Sequence, residues 1–484
     1  MTNQELWMIL PIVFVGISVL ATILVEVTAN NFNKTLYTSL FFLVLALLSS
    51  LNIWFEWTFV SSSEYLFGDT ISVDKFAVFF YFLIIFVTIF TFIVSRDYLL
   101  RIKHDRGELL ILILLSLTGM MVLVSARELI TIYVALELSS LPLIALGAIR
   151  RGKYSAEIGL KFFVLSSVST AILIYGFVFL YGLVGSTHLT QIAIELKNTN
   201  IAEPALLFSI VAIIAGFGFK MALVPWQSWI PDFYQGAPIP VTAFLSVASK
   251  ASAFAIVIRI FVITLDNSIS VEFWVTVFSV VSVLSMSIGN FIALRQTNFL
   301  RLLGYSTIAQ AGYMLIGIAA FTSNGLGVNG LLYYLAGYGF SNLTVFFVFL
   351  LINSKFDDDR IDNLNGLIHN SPFLAIFIIL GLLSLLGMPP TVGFMGKLFV
   401  FSAAIDSGLI WLAVIGGINT VVGAYYYLRI IKKIIFDKSN SSENIPVNKT
   451  LYVTYSIGAL GIIFLGVLPA LLLNLTKSAI ESLI

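Results

Sequence analysis

The chain of 484 residues is 59% hydrophobic and only 11% charged, and its mean hydropathy is +1.02. Soluble proteins of this size carry about a quarter charged residues, so the composition excludes that class and predicts an α-helical membrane protein. The net charge of +1 argues against a nucleic-acid partner, and the lack of cysteine excludes disulfides and iron–sulfur ligation by this chain. We therefore expect a function within the membrane that uses no cofactor of the chain's own.

Apolar stretches of spanning length predict about fourteen transmembrane helices, and so an all-α, polytopic membrane fold. The first seven are expected near 7–27, 35–55, 76–94, 109–124, 129–149, 157–184 and 205–226, the seventh broken and continuing towards 235. The other seven are expected near 241–263, 274–294, 300–321, 330–352, 372–405 (broken), 409–436 and 451–476.

Positive charge is concentrated on one side of the predicted spans. The connections after the odd-numbered spans hold seventeen of the 26 lysines and arginines. The other side has five: Lys75, Arg127, Lys197, Arg259 and Lys477. The positive-inside rule makes the rich side cytoplasmic and places both termini outside. The remaining four basic residues are lysines that fall within spans: Lys161, Lys220, Lys250 and Lys397.

Two spans are interrupted by proline. Pro225 breaks the seventh span about one turn after Lys220, and Pro389–Pro390 break the twelfth shortly before Lys397. A proline frees backbone groups that lipid cannot satisfy, so such a break must pack in protein or line a wet cavity. Breaks at matching positions predict two inverted five-helix repeats, spans 4–8 and 9–13, with transport sites at the breaks. Chance placement of prolines is the alternative.

These repeats divide a single transmembrane domain, 1–484. We expect an N-terminal three-helix segment at 1–105, a first repeat at 106–265, a second repeat at 272–436 and a C-terminal helix at 450–484. Three consecutive aspartates at 357–359 fit no EF-hand spacing, so they predict a solvated loop and no metal site.

Glu137 is the acidic residue that we place well within a span. An unpaired carboxylate there is costly, so it is expected to be protonated or to face a cation. Lys161, in the next antiparallel span, is predicted to lie at a similar depth and to pair with it. An arriving proton can release such a pair, whereas a static structural ion pair is the alternative.

Lys250 lies near the middle of the eighth span, among the small residues of LSVASKASAF. A buried lysine can lose its proton near neutral pH, whereas an arginine stays charged. Lysines rather than arginines within the spans therefore favour groups that titrate over fixed charges.

Several segments together resemble the antiporter-like membrane subunits of respiratory complex I, the proton-pumping NADH:quinone oxidoreductase. They are ELSSLPLIAL, RQTNFLRLLGYSTIAQAGYML, YYLAGYGFSN, GMPPTVGFMGKLFVF and the whole run 216–250. Within that family, PDFYQGAPIPVTAFLSVASK (231–250) is similar to the subunit N branch, called subunit 2 in mitochondria. The resemblance is strong from 126 to 436 and weak in the first three helices.

The resemblance implies a fourteen-helix fold and a proton-translocating subunit without a redox centre. NADH, FMN, iron–sulfur clusters and quinone are then held by partner subunits, and other membrane-arm subunits adjoin this chain. The implied location is the inner membrane of a bacterial cell, with both termini periplasmic. The implied proton pathway runs through Glu137, its modulating lysine Lys161, the broken-helix lysine Lys220, the central Lys250 and the distal Lys397.

Two departures from the family pattern matter. Gln227 and Gln310 stand where relatives often have histidine, and we leave both out of the expected site because glutamine cannot titrate. Two other functions compete: a subunit of a multisubunit cation/proton antiporter, which shares the fold, and a structural scaffold. The segment 231–250, which is similar to the subunit N branch, favours complex I over the antiporter. Five buried ionisable residues argue against a scaffold.

Overall fold

A computed structural model describes residues 3–29, 31–56, 65–101, 106–150, 152–198, 203–266, 268–321, 325–356, 358–438 and 444–483. Lys103 and Arg151, two of the basic residues counted on the rich side, lie outside these ranges, as does Asp357 of the aspartate run. The orientation and loop predictions at these three positions are therefore not addressed by the structure.

The described residues form twenty α-helices. The first seven are α1 (Asn3–Ala29), α2 (Phe32–Phe55), α3 (Lys75–Arg101), α4 (Arg106–Ser125), α5 (Leu129–Gly147), α6 (Lys153–Val184) and α7 (Leu189–Asn198). The next six are α8 (Glu203–Met221), α9 (Trp229–Gly236), α10 (Ile239–Phe244), α11 (Lys250–Ile258), α12 (Ser268–Ala293) and α13 (Phe299–Ala319). The last seven are α14 (Leu326–Phe356), α15 (Leu367–Asn370), α16 (Pro372–Leu386), α17 (Val392–Asp406), α18 (Ile410–Phe436), α19 (Lys449–Val467) and α20 (Pro469–Glu481).

Shorter elements complete the chain. A two-residue antiparallel hairpin, Tyr65–Leu66 with Ile71–Ser72, precedes α3. π-Helical segments Leu245–Ser249 and Arg259–Thr264 flank α11 and keep α10 and α11 in one continuous span, Ile239–Thr264. A 3-10 turn, Ile361–Leu364, lies ahead of α15.

The predicted all-α, many-span architecture is confirmed. Thirteen helices in the described ranges are long and apolar enough to cross a membrane, and the broken pair α16 and α17 occupies the place of the predicted twelfth span. The last predicted span, 451–476, is wrong as a single helix, because α19 ends at Val467 and α20 begins at Pro469. Proline has no N–H and clashes with the preceding turn, so it begins a new helix instead of continuing one.

Burial separates the central spans from the peripheral ones. In the Ile239–Thr264 span, all residues of the most apolar 18-residue stretch are buried. The corresponding share is 94% in each of α13 and α14. It is only 39% in α1 and 33% in α2. The core of the protein is therefore built around the eighth, tenth and eleventh spans, with the N-terminal helices at the edge.

One buried ion pair joins the start of α3 to the eighth span. Arg259 was counted with the connections outside the membrane, and this assignment is wrong, because Arg259 lies within the eighth span and is 3% exposed. Its Nη2 lies 2.7 Å from Asp74 Oδ1, and its Nε donates to the Val124 carbonyl at 2.9 Å. The same Asp74 oxygen accepts from Ala77 N in the first turn of α3. Pairing and hydrogen bonding offset the desolvation of both charges.

Candidate functional site

The seventh span breaks between α8 and α9, as the sequence predicts. Val224 N, freed from the helix, donates to Ser285 Oγ on α12 at 3.0 Å, a partner that lipid could not supply. Lys220 lies in the last turn of α8 and is 8% exposed. Its ammonium has no hydrogen-bond partner among the described residues. Gln227, within the break, likewise has a buried Oε1 without a partner in this part of the structure.

Glu137, on α5, influences Lys220 electrostatically. Its Oε1 accepts a hydrogen bond from Thr170 Oγ1 on α6 at 2.9 Å, and the carboxylate interacts electrostatically with Lys220. The side chain is only partly buried. Glu137 forms no ion pair among the described residues, and Lys220 is the lysine that its charge influences.

The predicted pairing of Glu137 with Lys161 is wrong. Lys161 Nζ lies 2.7 Å from Glu157 and 3.4 Å from Asp232, and its side chain is 50% exposed. Thr170, which contacts Glu137, comes nine residues later, which is two and a half helical turns. Lys161 consequently projects from the opposite face of α6. Lys161 also lies about 14 Å further along α6 than the prediction requires, so both its depth and its direction differ from those expected.

Lys250 occupies the centre of the protein, at the start of α11. Its side chain is 3% exposed, and Nζ donates to the Thr307 carbonyl on α13 at 2.9 Å. Nζ also lies 4.9 Å from the centre of the Tyr338 ring on α14, within the range of a cation–π contact. The π-helical turn that ends at Ser249 directly precedes it, and such turns are frequent at functional sites.

Lys397 lies in the second turn of α17, and its side chain extends back to the second break. Its Nζ donates to the Leu386 carbonyl at 2.8 Å, at the C-terminus of α16, and lies 4.5 Å from the centre of the Tyr313 ring. A cation there meets the unpaired carbonyls and the negative end of the helix dipole. Gly387 makes the approach possible, because its φ is +89° and an added Cβ would lie 2.9 Å from the lysine Cδ.

Gln310 lies on α13 between Thr307, whose carbonyl accepts from Lys250, and Tyr313, whose ring lies beside Lys397. Its Nε2 donates to the Leu385 carbonyl at 2.8 Å, and Lys397 Nζ approaches the same oxygen at 3.4 Å. The Gln310 carbonyl accepts from the Tyr334 hydroxyl, and its amide also reaches Tyr427. The sequence-based prediction misses this role, because glutamine cannot titrate. The spacing of Thr307, Gln310 and Tyr313 at three-residue intervals would have indicated one polar stripe on α13.

Four of the five predicted site residues, Glu137, Lys220, Lys250 and Lys397, can be followed in sequence from α5 to α17. Lys161 is separate from them and has a half-exposed side chain. Glu137 acts on Lys220, and α8, which carries Lys220, packs against α11, which begins at Lys250. From Lys250 the α13 stripe leads to Lys397. Lys250 and Lys397 are thus connected by groups that donate or accept hydrogen bonds, whereas Lys220 is connected to Lys250 only by the packing of α8 against α11.

The match to a known family decides the identification. The model described as "NADH:quinone oxidoreductase/Mrp antiporter, TM" matches residues 126–423, which is more than half of the chain. The chain belongs to this family. The match begins just after α4 and includes both broken spans and all five predicted site residues.

Two similar proteins of the family share the name of one subunit. NADH-quinone oxidoreductase subunit N of Trichlorobacter lovleyi is 37% identical over 420 residues, which cover 86% of this chain and 85% of that protein. The protein of the same name from Herminiimonas arsenicoxydans is 36% identical and the match covers 99% of both chains. The resemblance to the subunit N branch is confirmed.

Solved structures of family members share the fold. A chain of respiratory complex I from Thermus thermophilus superposes with a TM-score of 0.80 at 29% identity, over 96% of this chain and 98% of that one. A chain of the Mrp complex from Dietzia superposes with a TM-score of 0.86 at 20% identity, over 100% and 98%. At that identity, the second likeness supports the fold alone.

Proposed function

We propose that this chain is the proton-translocating subunit N of an NADH:quinone oxidoreductase. It moves protons across the membrane, coupled to electron transfer from NADH to quinone in other subunits. The observation that carries this proposal is the presence of three buried lysines, two of which, Lys250 and Lys397, are connected by the polar stripe of α13, while α8, which carries Lys220, packs against α11. Buried ionisable groups of this kind mark proton and ion routes in membrane proteins.

Each site residue has a part in this route. Lys220 exchanges a proton under the influence of Glu137, Lys250 relays it through the core, and Lys397 holds the distal end at the second break. Lys161, together with Asp232, is assigned to proton uptake near the charge-rich side, since it is exposed and shares that carboxylate with Arg301. Gln310 positions the Leu385 carbonyl that Lys397 approaches.

The two breaks also support the division into inverted repeats at 106–265 and 272–436. A lysine accompanies each break, Lys220 before the first and Lys397 after the second. In transporters with inverted repeats, broken helices at matching positions form the transport sites. The N-terminal segment 1–105 and the C-terminal helix 450–484 then flank the repeats.

Redox cofactors are assigned to partner subunits. We assign FMN, the iron–sulfur clusters, NADH and quinone to other subunits of the complex, and the lack of cysteine in this chain supports the assignment of the clusters. A neighbouring membrane subunit is expected over α5 and α6, where the partly exposed Glu137 lies beside exposed apolar residues such as Val134 and Leu141. A carboxylate at this depth needs protein cover because lipid cannot solvate it.

Purification from the native membrane tests this function. We expect the chain to co-purify with subunits that oxidise NADH, and the reconstituted complex to acidify vesicles when NADH and a quinone are added. The same acidification assay in sodium-free buffer is the control for the alternative function, a cation/proton antiporter. Sodium-dependent proton exchange that needs no NADH, by an assembly without redox subunits, would refute the proposal.

The orientation has its own test. We propose a bacterial inner membrane with both termini periplasmic, because the positive charge lies mainly on one side. In right-side-out vesicles an impermeant amine reagent is expected to label Lys197 and Lys477 but not the exposed Lys432. After the vesicles are opened, Lys432 should be labelled as well. Labelling of Lys432 in sealed vesicles would reverse the assigned orientation.

A further inference from the structure

An apolar cavity of about 360 Å³ lies between α2, α3, α14 and α20. We call it the α2–α3 cavity, because most of its lining residues belong to these two helices. All of the side chains that line it are aliphatic or aromatic. It is more than twice the size of an engineered apolar cavity of about 150 Å³, which stays dry and binds benzene. The α2–α3 cavity therefore suits a hydrocarbon ligand.

The α2–α3 cavity opens on the outer surface of the spans. Phe55, at the end of α2, and Leu475, on α20, both line it and are 56% and 43% exposed. Because α2 is long and apolar enough to cross a membrane, this surface meets the hydrocarbon of the bilayer. The bilayer can therefore supply the ligand.

The cavity has the length of the hydrocarbon in one leaflet. On α3 it is lined by Phe79, Phe82 and Phe86, which follow Lys75 at spacings of four, three and four residues. One stripe of the helix therefore carries all four side chains. From Lys75 to Phe86 the helix rises about 16 Å, and the hydrocarbon of one leaflet is roughly 15 Å thick.

Two aromatic rings lie at the inner end of the cavity. The ring centres of Phe86 and Phe340 are 5.0 Å apart. The next cavity beyond them measures only about 10 Å³, which is about the volume that one water molecule needs. An acyl chain that enters from the end near Lys75 must therefore stop at these two rings.

An ion pair lies at the outer end of the cavity. Glu56 follows Phe55 at the end of α2, and Lys75 lies one turn before Phe79 on α3. Lys75 Nζ is 3.0 Å from Glu56 Oε1, and the two side chains are 29% and 47% exposed. An ammonium has three N–H donors, so Lys75 can bind an anion in addition to Glu56. The ends of spanning helices lie at the depth of the lipid headgroups, where the anion at hand is a phosphate.

We propose that the α2–α3 cavity binds one acyl chain of a phospholipid whose phosphate accepts a hydrogen bond from Lys75. The chain passes Phe55 and ends at the rings of Phe86 and Phe340. The lipid then links α2, at the edge of the protein, to α14 in its core. The phosphate distinguishes this ligand from a quinone, which has a hydrocarbon tail but an uncharged headgroup. This site does not depend on the proposed proton route.

Photo-crosslinking of the whole complex, purified from its native membrane and reconstituted, tests the site. The probe is phosphatidylethanolamine with a diazirine at the end of one acyl chain, which has no net charge that Glu56 would repel. We expect labelled peptides that contain Phe86 and Phe340. Diacylglycerol with the same tail has no phosphate and should label these peptides about tenfold less, the factor that one charge-assisted hydrogen bond supplies.

Two pairs of variants locate the ligand. Lys75→Gln should lower labelling by phosphatidylethanolamine to the level of diacylglycerol. Lys477→Gln, at a lysine of α20 that is 69% exposed, is its control and should leave labelling unchanged. Leu51→Trp puts a larger side chain into the cavity and should reduce labelling about tenfold. Leu48→Trp, at a residue of α2 that is 52% exposed, should have no effect.

Several results would overturn the proposal. Equal labelling by the two lipids, or unchanged labelling of Lys75→Gln, would remove the phosphate contact. Labelling that persists in assembled Leu51→Trp complex would place the acyl chain outside the cavity. Competition by a long-tailed quinone that unlabelled phosphatidylethanolamine does not reproduce would assign the cavity to quinone. If Leu51→Trp fails to assemble on a native gel, Lys75→Gln decides alone, because loss of an exposed ion pair costs little stability.

Discussion

Lys250→Arg is expected to reduce proton pumping by the assembled complex about tenfold or more, nearly as much as Lys250→Ala. The lysine lies in the core with a single carbonyl and a tyrosine ring as partners. If it relays protons it must gain and lose one in each cycle. Arginine keeps the positive charge but does not release its proton at any working pH. Pumping by vesicles, normalised to assembled complex, measures the effect.

A structural cation at this position predicts the opposite order. Arginine would then preserve activity and alanine would harm it. Lys477→Arg is the matched control, because Lys477 is 69% exposed and the same substitution there should leave pumping unchanged. Full coupled activity in Lys250→Arg would remove Lys250 from the relay and assign it a fixed charge.

Lys220→Ala is expected to lose pumping by a similar factor while the complex still assembles. The ammonium is buried beside the first break without a hydrogen-bond partner in the described residues, so alanine leaves no buried partner unsatisfied. Glu137→Gln should also impair pumping, because the carboxylate acts on this lysine. Since both act through one interaction, the double variant should be little worse than either single variant.

Quinone reductase activity, acidification of vesicles and a native gel together measure these effects. Lys197→Ala, an exposed lysine on the side assigned to the periplasm, is the control and should match wild type. Wild-type pumping by assembled Lys220→Ala complex would refute the role of that lysine. Independent, multiplying effects of the two substitutions would refute the coupling of Glu137 to Lys220.

Much of this architecture follows from the sequence by simple rules. Spanning-length apolar runs predict the helices, and Pro225 and Pro389–Pro390 predict the two breaks, because a proline removes a backbone hydrogen bond wherever it falls. Lys220, Lys250 and Lys397 could be identified as buried because apolar sequence surrounds them. These inferences need only position along the chain.

The failures concern direction around a helix and contacts between distant helices. Lys161 lies about 14 Å along α6 from Thr170, the residue that contacts Glu137, and points to the opposite side of that helix, where it contacts Asp232 on α9. Arg259 lies near the end of a span, and the count of basic residues in the connections assigns it to a connection outside the membrane. It is buried instead, because Asp74 at the start of α3 pairs with it. Gln310 gains its role from a carbonyl that only the second break exposes. None of these partners is close in sequence.

The contact between Asp74 and Arg259 joins residues 185 positions apart. At about 5–20 residues per second, a ribosome needs roughly 10 to 40 seconds to synthesise the chain between them. The third helix therefore enters the bilayer well before the arginine that pairs with its first turn exists. During that interval Asp74 lacks the guanidinium that it pairs with in the folded protein. The contact between the start of α3 and the eighth span can therefore form only after that span has been made.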